Sequence, residues 1–286
     1  MCRLFGLTAG SKRVKATFWL LEEEHSLVVQ SFCNPDGTGL GTFDETDTPR
    51  VEKQPIAAYK DLKFALEAKE RRSTTFIAHV RYATTGKKTR QNTHPFCQKG
   101  RLFAHNGVIK QDSLEKLEKE VGKDYMRLVE GETDSERFFA LITRHIDAND
   151  GDIGAGITSA AQWVAANLPI YAINIVLTTP QELFALRYPD TFELFVLRRA
   201  AGGQHGDRHL DQASAAGRIR VRSSGELATT PVVVVATERM DEHPGWSPLK
   251  SGELIRIDRD LKVHSTIAID HPPAYPYTPE AALSTW

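Results

Sequence analysis

Residues 1–10 read MCRLFGLTAG, and the apolar run over residues 3–9 predicts a short β-strand that begins almost at the first residue. Chain termini usually fray unless a sheet holds them. We therefore expect this strand to lie inside a sheet whose other strands come from later parts of the chain. Cys2 stands directly before the strand.

The rest of the chain supplies further strands and a few helices. Stretches rich in Val, Ile, Phe and Leu predict strands at residues 75–81, 101–105, 171–178, 182–187, 191–198, 231–237 and 253–257. Helical patterns cover residues 61–68, 133–146 and 158–168, and the second opens with a capping box, Thr133 to Glu136. The strands come in clusters with helices between the clusters, which favours an antiparallel α+β layered domain.

The domain organisation is expected to be simple. A hydrophobic fraction of 41% with 26% charged residues is ordinary for a globular chain. Residues 200–216, rich in Gly, Ala, His and Asp, predict a loop insertion between two strands. Residues 271–286 contain four prolines and predict an extended tail along the surface. Neither segment reads as a domain boundary, so we predict one domain over residues 1–286.

Composition excludes several classes of protein. Lys and Arg total 36 against 37 Asp and Glu, so no global field indicates nucleic acid or an acidic membrane. The first ten residues lack the features of a signal peptide, and the longest apolar run, residues 170–177, is too short to cross a bilayer. Cys2, Cys33 and Cys97 form no CxxC pair and no even disulfide set, which suits a reducing compartment. We expect a cytoplasmic protein.

The chemistry begins at Cys2. Removal of Met1 would give Cys2 both a thiol and a free α-amino group. Such an amine titrates near ~8, so it can act as a base at neutral pH. A nucleophile with its own base in one residue needs no separate catalytic histidine. A small buried side chain beside the start codon is the structural alternative.

Three more segments carry polar groups at the ends of predicted elements. In AHVRYATTG, Arg81 ends a strand before the polar turn through Thr84, and a guanidinium there can grip a carboxylate. In LFAHNG, Asn106 and Gly107 follow a strand that we expect to end at His105. Asn-Gly is first a turn signal, and it also offers an amide and an unhindered N–H for an oxyanion hole.

In GETDSE, Asp134 falls in the first turn of a helix, where it complements the helix dipole or accepts a substrate ammonium group. Other patterns favour structural interpretations. DGTGLG fits neither a Rossmann nor a Walker motif and is expected to form a tight loop. His205 and His209 have no third ligand nearby, so we expect no metal. His79, His94 and His105 flank the motifs, and each is expected to be a hydrogen-bonded structural histidine rather than a catalytic one.

Taken together, these motifs resemble the class II glutamine amidotransferase domain, in its stand-alone branch with the YafJ-like proteins and the ergothioneine-pathway γ-glutamyl hydrolase. The motifs, in order, are MCRLFG, NPDGTGLG, AHVRYATTG, NTHPF, LFAHNG and GETDSE, and the later VVVVATERMD also resembles that branch. The resemblance implies the four-layer αββα sandwich of N-terminal-nucleophile hydrolases, with two stacked, mostly antiparallel sheets.

The resemblance also assigns roles by position. It implies Cys2 as nucleophile, with the Asn106 side chain and the Gly107 N–H forming the oxyanion hole. Arg81 would bind the substrate α-carboxylate and Asp134 its α-ammonium. Thr84 and His94 fall in matching motifs and would support the pocket. One position departs from the branch: Thr38 stands where an aromatic residue usually follows Asp-Gly, on the acyl-acceptor side of the pocket.

The resulting hypothesis is an amidohydrolase that cleaves the γ-glutamyl amide of glutamine or of a γ-glutamyl conjugate, without metal or cofactor. Two alternatives stay open. The chain could be a glutaminase subunit that delivers ammonia to a separate synthase partner. It could also be a non-catalytic relative that binds ligands, if Met1 is retained.

Overall fold

A computed structural model describes residues 2–23, 25–83, 86–201, 211–213, 220–222 and 229–279. Two large β-sheets lie face to face, and helices cover their outer faces. This is the αββα arrangement expected of the chain, with each sheet built from antiparallel neighbours apart from one short parallel pair.

The first sheet has seven strands in the order β13-β9-β12-β1-β4-β2-β3. These strands are β1 (Arg3–Thr8), β2 (Gly37–Phe43), β3 (Pro49–Gln54), β4 (Thr75–Arg81), β9 (Phe195–Arg199), β12 (Val232–Ala236) and β13 (Ser247–Pro248). The strand predicted at residues 3–9 is thus a central strand, paired with β12 on one side and β4 on the other.

The second sheet runs β15-β14-β8-β7-β6-β5, with β16 pairing in parallel to the start of β7. Its strands are β5 (Phe96–Gln98), β6 (Arg101–Ile109), β7 (Pro169–Thr178), β8 (Leu183–Leu186), β14 (Glu253–Ile257), β15 (Val263–Ile267) and β16 (Tyr275–Pro276). Two further strands, β10 (Asp211–Ala213) and β11 (Arg220–Arg222), form a separate antiparallel pair.

The helices pack on the outer faces of the sheets. They are α1 (Leu27–Gln30), α2 (Leu62–Glu70), α3 (Leu114–Val121), α4 (Lys123–Met126), α5 (Asp134–Ala148) and α6 (Ile153–Asn167), with a π-helical turn at Phe18–Glu22 and 3-10 turns at Ala58–Lys60 and Gln111–Ser113. Helices α3, α5 and α6 share one apolar core with the second sheet, while α2 and the π-helical turn share another with the first. Among the described residues, no helix has the length and apolar character needed to cross a membrane.

Burial on both faces explains why the central strands read as continuous apolar runs. In β4, Phe76 and Ala78 face the helices, whereas Ile77 faces the second sheet. Strand β12 divides in the same way, with Val234 in the helix-side core and Val235 between the sheets. A strand covered on both sides needs apolar side chains at every position rather than at alternate ones.

The glycine-rich segment DGTGLG is a strand, β2, so the prediction of a tight loop is wrong. Its glycines serve close packing. A Cβ atom at Gly39 would lie 2.0 Å from the His94 carbonyl oxygen, and one at Gly41 would lie 2.8 Å from the Ile77 side chain. Glycine in a strand interior commonly marks such an approach of another chain segment.

Other boundaries shift by a few residues. The strand predicted at 101–105 continues to Ile109, and the helix predicted at 158–168 begins at Ile153. The strand predicted at 191–198 begins at Phe195. Of the predicted insertion, only residues 200–201 and 211–213 are described, so His205 and His209 lie outside the described residues. Of the tail, residues 271–279 are described, and they include the short strand β16.

Candidate active site

Cys2 lies at the end of the first sheet where β1 begins and β4 ends. Arg3 pairs with Val80, so the same antiparallel register places Cys2 opposite Arg81. The Cys2 thiol donates to the Tyr82 carbonyl oxygen at 3.4 Å, and its sulfur accepts from the Tyr82 N–H at 3.3 Å. The backbone just after β4 therefore fixes the thiol.

The surroundings keep this thiol protonated. Burial raises the pKa of Cys2 above its usual range, and the nearby Asp134 carboxylate acts in the same direction. The hydrogen bond from Tyr82 and the charge of Arg81 oppose this rise without cancelling it. Because the thiolate is the reactive form, chemistry at Cys2 needs a nearby base to take the proton.

Arg81 ends β4 with its side chain buried, only 4% exposed. Its guanidinium donates to the carbonyl oxygens of Lys87, at 3.1 Å, and Gly86, at 3.5 Å. Burial lowers the pKa of Arg81, and the charges of Cys2, Asp36 and Asp134 partly restore it. An arginine keeps its positive charge even when it is buried, so this guanidinium can contact an anionic ligand.

Asp36, from the NPDG segment, contacts the end of β4 and the segment that follows it. Its N–H donates to the Arg81 carbonyl oxygen at 3.0 Å, and its carboxylate accepts from the Ala83 N–H at 2.9 Å and pairs with Lys88 at 2.6 Å. Burial acts to raise the pKa of Asp36, but Lys88 and the Ala83 N–H outweigh it and lower the pKa. Thr38, two residues on, is fully buried and donates to the Ile56 carbonyl oxygen at 2.9 Å.

Asn106 and Gly107 lie within β6, not in a turn after it, so the predicted strand end at His105 is wrong. Asn106 pairs with Asn174 of β7, and its side chain is 4% exposed. Within the described part of the chain, the Asn106 amide makes no side-chain hydrogen bond. A buried amide without a protein partner is suited to bind a ligand oxygen.

Gly107 is required for packing. A Cβ atom at this position would lie 1.8 Å from the Ala172 carbonyl oxygen, which no side chain can tolerate. The register of β6 against β7 shifts just afterwards, between Val108 and Ile109. The extra residue at this β-bulge is Tyr171 of β7, which has no partner in the ladder.

Two backbone N–H groups hold the Asp134 carboxylate. The Ile109 N–H donates to Asp134 Oδ2 at 2.7 Å, and the Ser135 N–H donates to Oδ1 at 2.9 Å. Asp134 is the first residue of α5, as predicted, and the Thr133 side chain caps that helix by accepting from the Glu136 N–H at 3.3 Å. The carboxylate is 5% exposed and is therefore held rigidly at the helix N-terminus.

Behind Asp134, a buried histidine completes the support. His105 Nδ1 lies 2.9 Å from Ser135 Oγ, and His105 Nε2 lies 3.3 Å from the Ala172 carbonyl oxygen. Since a carbonyl only accepts, we assign the ring proton to Nε2, and the Ser135 hydroxyl then donates to Nδ1. Burial lowers the pKa of His105, which keeps the ring neutral.

His94 is buried beneath the same corner, with its ring 4.2 Å from that of His79 and 4.6 Å from that of Phe96. It packs in the interior of the fold, and support of the pocket by this residue stays a prediction. Thr84 lies outside the described residues. No group of three or more metal-ligating side chains that could hold a metal ion occurs among the residues that are described.

The fold thus brings together three of the residues singled out in the sequence. The charges of Arg81 and Asp134 both act on the Cys2 thiol, although Cys2 precedes β1, Arg81 ends β4 and Asp134 begins α5. Asn106 and Gly107 lie on β6, just before Ile109, whose N–H binds Asp134. Sequence reasoning missed the backbone groups of Tyr82 and Ile109, because any residue type can supply a backbone N–H.

Two stacked, mostly antiparallel sheets between helical layers define the fold of the N-terminal-nucleophile amidotransferases. The sequence matches the family described as glutamine amidotransferases class-II over residues 1–279, and the chain belongs to that family.

Among its relatives, the γ-glutamyl-hercynylcysteine sulfoxide hydrolase of Mycolicibacterium smegmatis is 27% identical over 255 residues, covering 85% of this chain and 90% of that protein. The probable glutamine amidotransferase DUG3 of Saccharomyces cerevisiae is 29% identical over 179 residues, covering 54% of this chain. The matched part spans only 50% of DUG3.

Solved structures share the fold at low identity. A predicted glutamine amidotransferase from Pseudomonas aeruginosa aligns with a TM-score of 0.60 and 20% identity, over 93% of this chain and all of that one. The glutamine phosphoribosylpyrophosphate amidotransferase of B. subtilis aligns with a TM-score of 0.61 and 18% identity, over 95% of this chain and 50% of that one.

Proposed function

We propose that this chain hydrolyses a γ-glutamyl amide, in glutamine or in a γ-glutamyl conjugate, through a thioester on Cys2, and releases glutamate. The observation that carries this proposal is the convergence of a fixed thiol, a buried guanidinium and a buried carboxylate at one corner of the fold. Opposite charges around a thiol suit the two charged ends of a glutamyl group.

The two charged residues would hold the substrate. Arg81 binds the α-carboxylate, and Asp134, fixed by Ile109 and Ser135, binds the α-ammonium. A ligand that lacks the matching carboxylate or ammonium group would lose these charge-assisted hydrogen bonds and would bind less tightly. Thr84 would line the same pocket.

The α-amine of Cys2, freed by removal of Met1, would act as the base. It takes the proton from the thiol, and the sulfur attacks the γ-carbonyl carbon. The oxyanion that forms accepts hydrogen bonds from the Asn106 amide and the Gly107 N–H. The C–N bond then breaks, the amine leaves with the proton from the α-ammonium, and a thioester remains. Water hydrolyses the thioester to glutamate and restores the thiol.

The reaction needs a free thiol, which a cytosolic location would keep reduced. Glutamate release from glutamine and γ-glutamyl conjugates tests the proposal, using protein whose intact mass confirms loss of Met1. Cys2→Ala should abolish release and leave the fold intact, whereas Cys33→Ala, at an exposed cysteine, serves as the matched control. Release by Cys2→Ala at the wild-type rate would end the thioester mechanism. A retained Met1 would instead support a non-catalytic role.

A second candidate function is a glutaminase subunit that supplies ammonia to a synthase. One observation favours it: exposed apolar side chains gather beside the NPDG segment. Phe32, 63% exposed, stacks on Tyr59 at a ring distance of 4.3 Å, and Val29 and Ile56 are exposed nearby. Contiguous apolar surface often marks a protein interface. A rise in the glutaminase rate on adding a candidate synthase, absent in Phe32→Lys, would favour this function.

A further inference from the structure

A cavity of about 320 Å³ opens beside Asn106. Its lining includes Arg3, Phe192, Phe195, Glu238 and Arg239. This volume is near the lower end of the roughly 300–1,000 Å³ typical of small-molecule sites. Arg81 and Asp134 were assigned above to the glutamyl group, and neither of them lines this cavity.

The first sheet relates this cavity to the nucleophile. Phe5 pairs with Ala236 in the antiparallel β1–β12 ladder, and the Thr237 N–H still donates to the Leu4 carbonyl oxygen at 3.2 Å. Arg3, which directly follows Cys2, lines the cavity and forms an ion pair with Glu238, the residue before Arg239. The cavity therefore lies on the β12 side of Cys2, whereas Arg81 lies on the β4 side.

The cavity is lined by two arginines, Arg3 and Arg239, and two glutamates, Glu193 and Glu238. Arg3 forms an ion pair with Glu238. Arg239 is exposed, and its guanidinium lies 5.7 Å from the centre of the Phe195 ring. Within the described part of the chain, Arg239 has no carboxylate partner. An arginine stacked on an aromatic ring keeps its hydrogen-bonding edge free for a planar anion.

The geometry points to a leaving-group subsite for an amino acid or short peptide, and we propose that Arg239 binds the carboxylate of the departing amine. Phe192 and Phe195 supply apolar walls for its side chain, and Asn106 marks the border with the reacting carbonyl group. The favoured substrates are then γ-glutamyl amino acids or peptides rather than γ-glutamyl amides of neutral amines. This inference rests on the proposed γ-glutamyl amidohydrolase function.

A matched pair of substrates tests it. γ-Glutamyl-alanine and γ-glutamyl-ethylamide share the glutamyl group and differ in the leaving amine by one carboxylate. We expect kcat/KM to be about five- to tenfold higher for γ-glutamyl-alanine, the scale of one partly exposed charge-assisted hydrogen bond. The readout is the ratio of the two substrates, so it does not depend on the overall activity of a variant.

Arg239→Gln should bring this ratio close to one, and Arg239→Glu should bring it below one. Arg239→Glu should also prefer a third substrate, the γ-glutamyl amide of 1,2-diaminoethane, over γ-glutamyl-ethylamide, because its free amine is cationic. Arg198→Gln removes an exposed arginine of β9 that does not line the cavity, and it should keep the wild-type ratio. Thermal unfolding of each variant verifies that it is folded.

A wild-type ratio near one, or a ratio unchanged by Arg239→Gln, would overturn the subsite and leave the amidohydrolase proposal standing. A wild-type protein that lacks Met1 and releases glutamate from neither substrate nor from glutamine would overturn the amidohydrolase proposal itself. The two failures are therefore distinguishable in one set of assays.

Discussion

Mild acid should destabilise this fold through its buried histidines. Burial lowers the pKa of His79 to about 3, and the charge of Arg81 acts in the same direction. Burial also lowers the pKa of His94 well below its usual range, and the adjacent His79 adds to the effect. The folded protein therefore keeps both rings neutral at pH values where an unfolded chain would protonate them.

The sign of the effect follows from proton linkage. An unfolded histidine has a pKa near ~6.5, so below that pH the unfolded chain binds a proton that folded His79 does not. Stability is thus complete above about pH 6.5 and falls by about 1.4 kcal/mol per pH unit per histidine until the folded pKa is reached. Between about pH 6.5 and pH 5, His79 alone lowers the free energy of unfolding by about 2 kcal/mol, and His94 adds to this loss.

Urea unfolding at about pH 7.5, 6 and 5 measures the effect. His79→Phe should lose about 2 kcal/mol less than the wild type over this range, because one titrating ring has been removed. His271→Asn, at an exposed histidine, is the matched control and should retain the wild-type slope. Burial raises the pKa of Glu136, which opposes the trend equally in all three proteins and cancels in the comparison. Identical slopes in His79→Phe and the wild type would refute the reasoning.

Three further predictions concern the site. Gly107→Ala should lower the free energy of unfolding by about 1–3 kcal/mol or more, because its Cβ would lie 1.8 Å from a carbonyl oxygen. The control is Gly154→Ala in α6, where the added Cβ meets only ordinary contacts. In the same thermal melt this control should be neutral or stabilising. Asp134→Asn should raise KM for γ-glutamyl amides at least tenfold, because the charge that would bind the α-ammonium is removed. It should also lower the free energy of unfolding by about 1–3 kcal/mol, because the new NH₂ group must face one of two N–H donors. An unchanged KM would remove Asp134 from the binding role. If the α-amine of Cys2 is the base, kcat/KM should rise between about pH 6 and 8, and a flat profile would require another base.

The sequence predicted best those elements that burial or capping determines locally. The strands at residues 75–81 and 253–257 begin and end as predicted, because unbroken apolar runs end there at charged or polar residues. Asp134 was placed correctly at the start of a helix because Thr133 and Glu136 mark the cap.

Where the sequence misled, long-range packing prevailed over local preference. Asn106-Gly107 favours a turn in isolation, yet pairing with β7 keeps it extended within β6. The glycines of β2 suggest a loop, yet they allow the sheet to approach the chain around His94. The bulge at Tyr171, which lies opposite the Ile109 N–H that binds Asp134, depends on how two strands pair and has no signature in either strand alone.

The central position of β1 also dictates when the site can form during synthesis. Its two neighbours are encoded far apart, β4 at residues 75–81 and β12 at residues 232–236. A nascent chain that has not yet exposed β12 leaves one edge of β1 open. β1 is therefore made before every other strand of its sheet, yet it is enclosed only after β12 has emerged. The corner that holds Cys2 stays open on its β12 side until that late strand has paired.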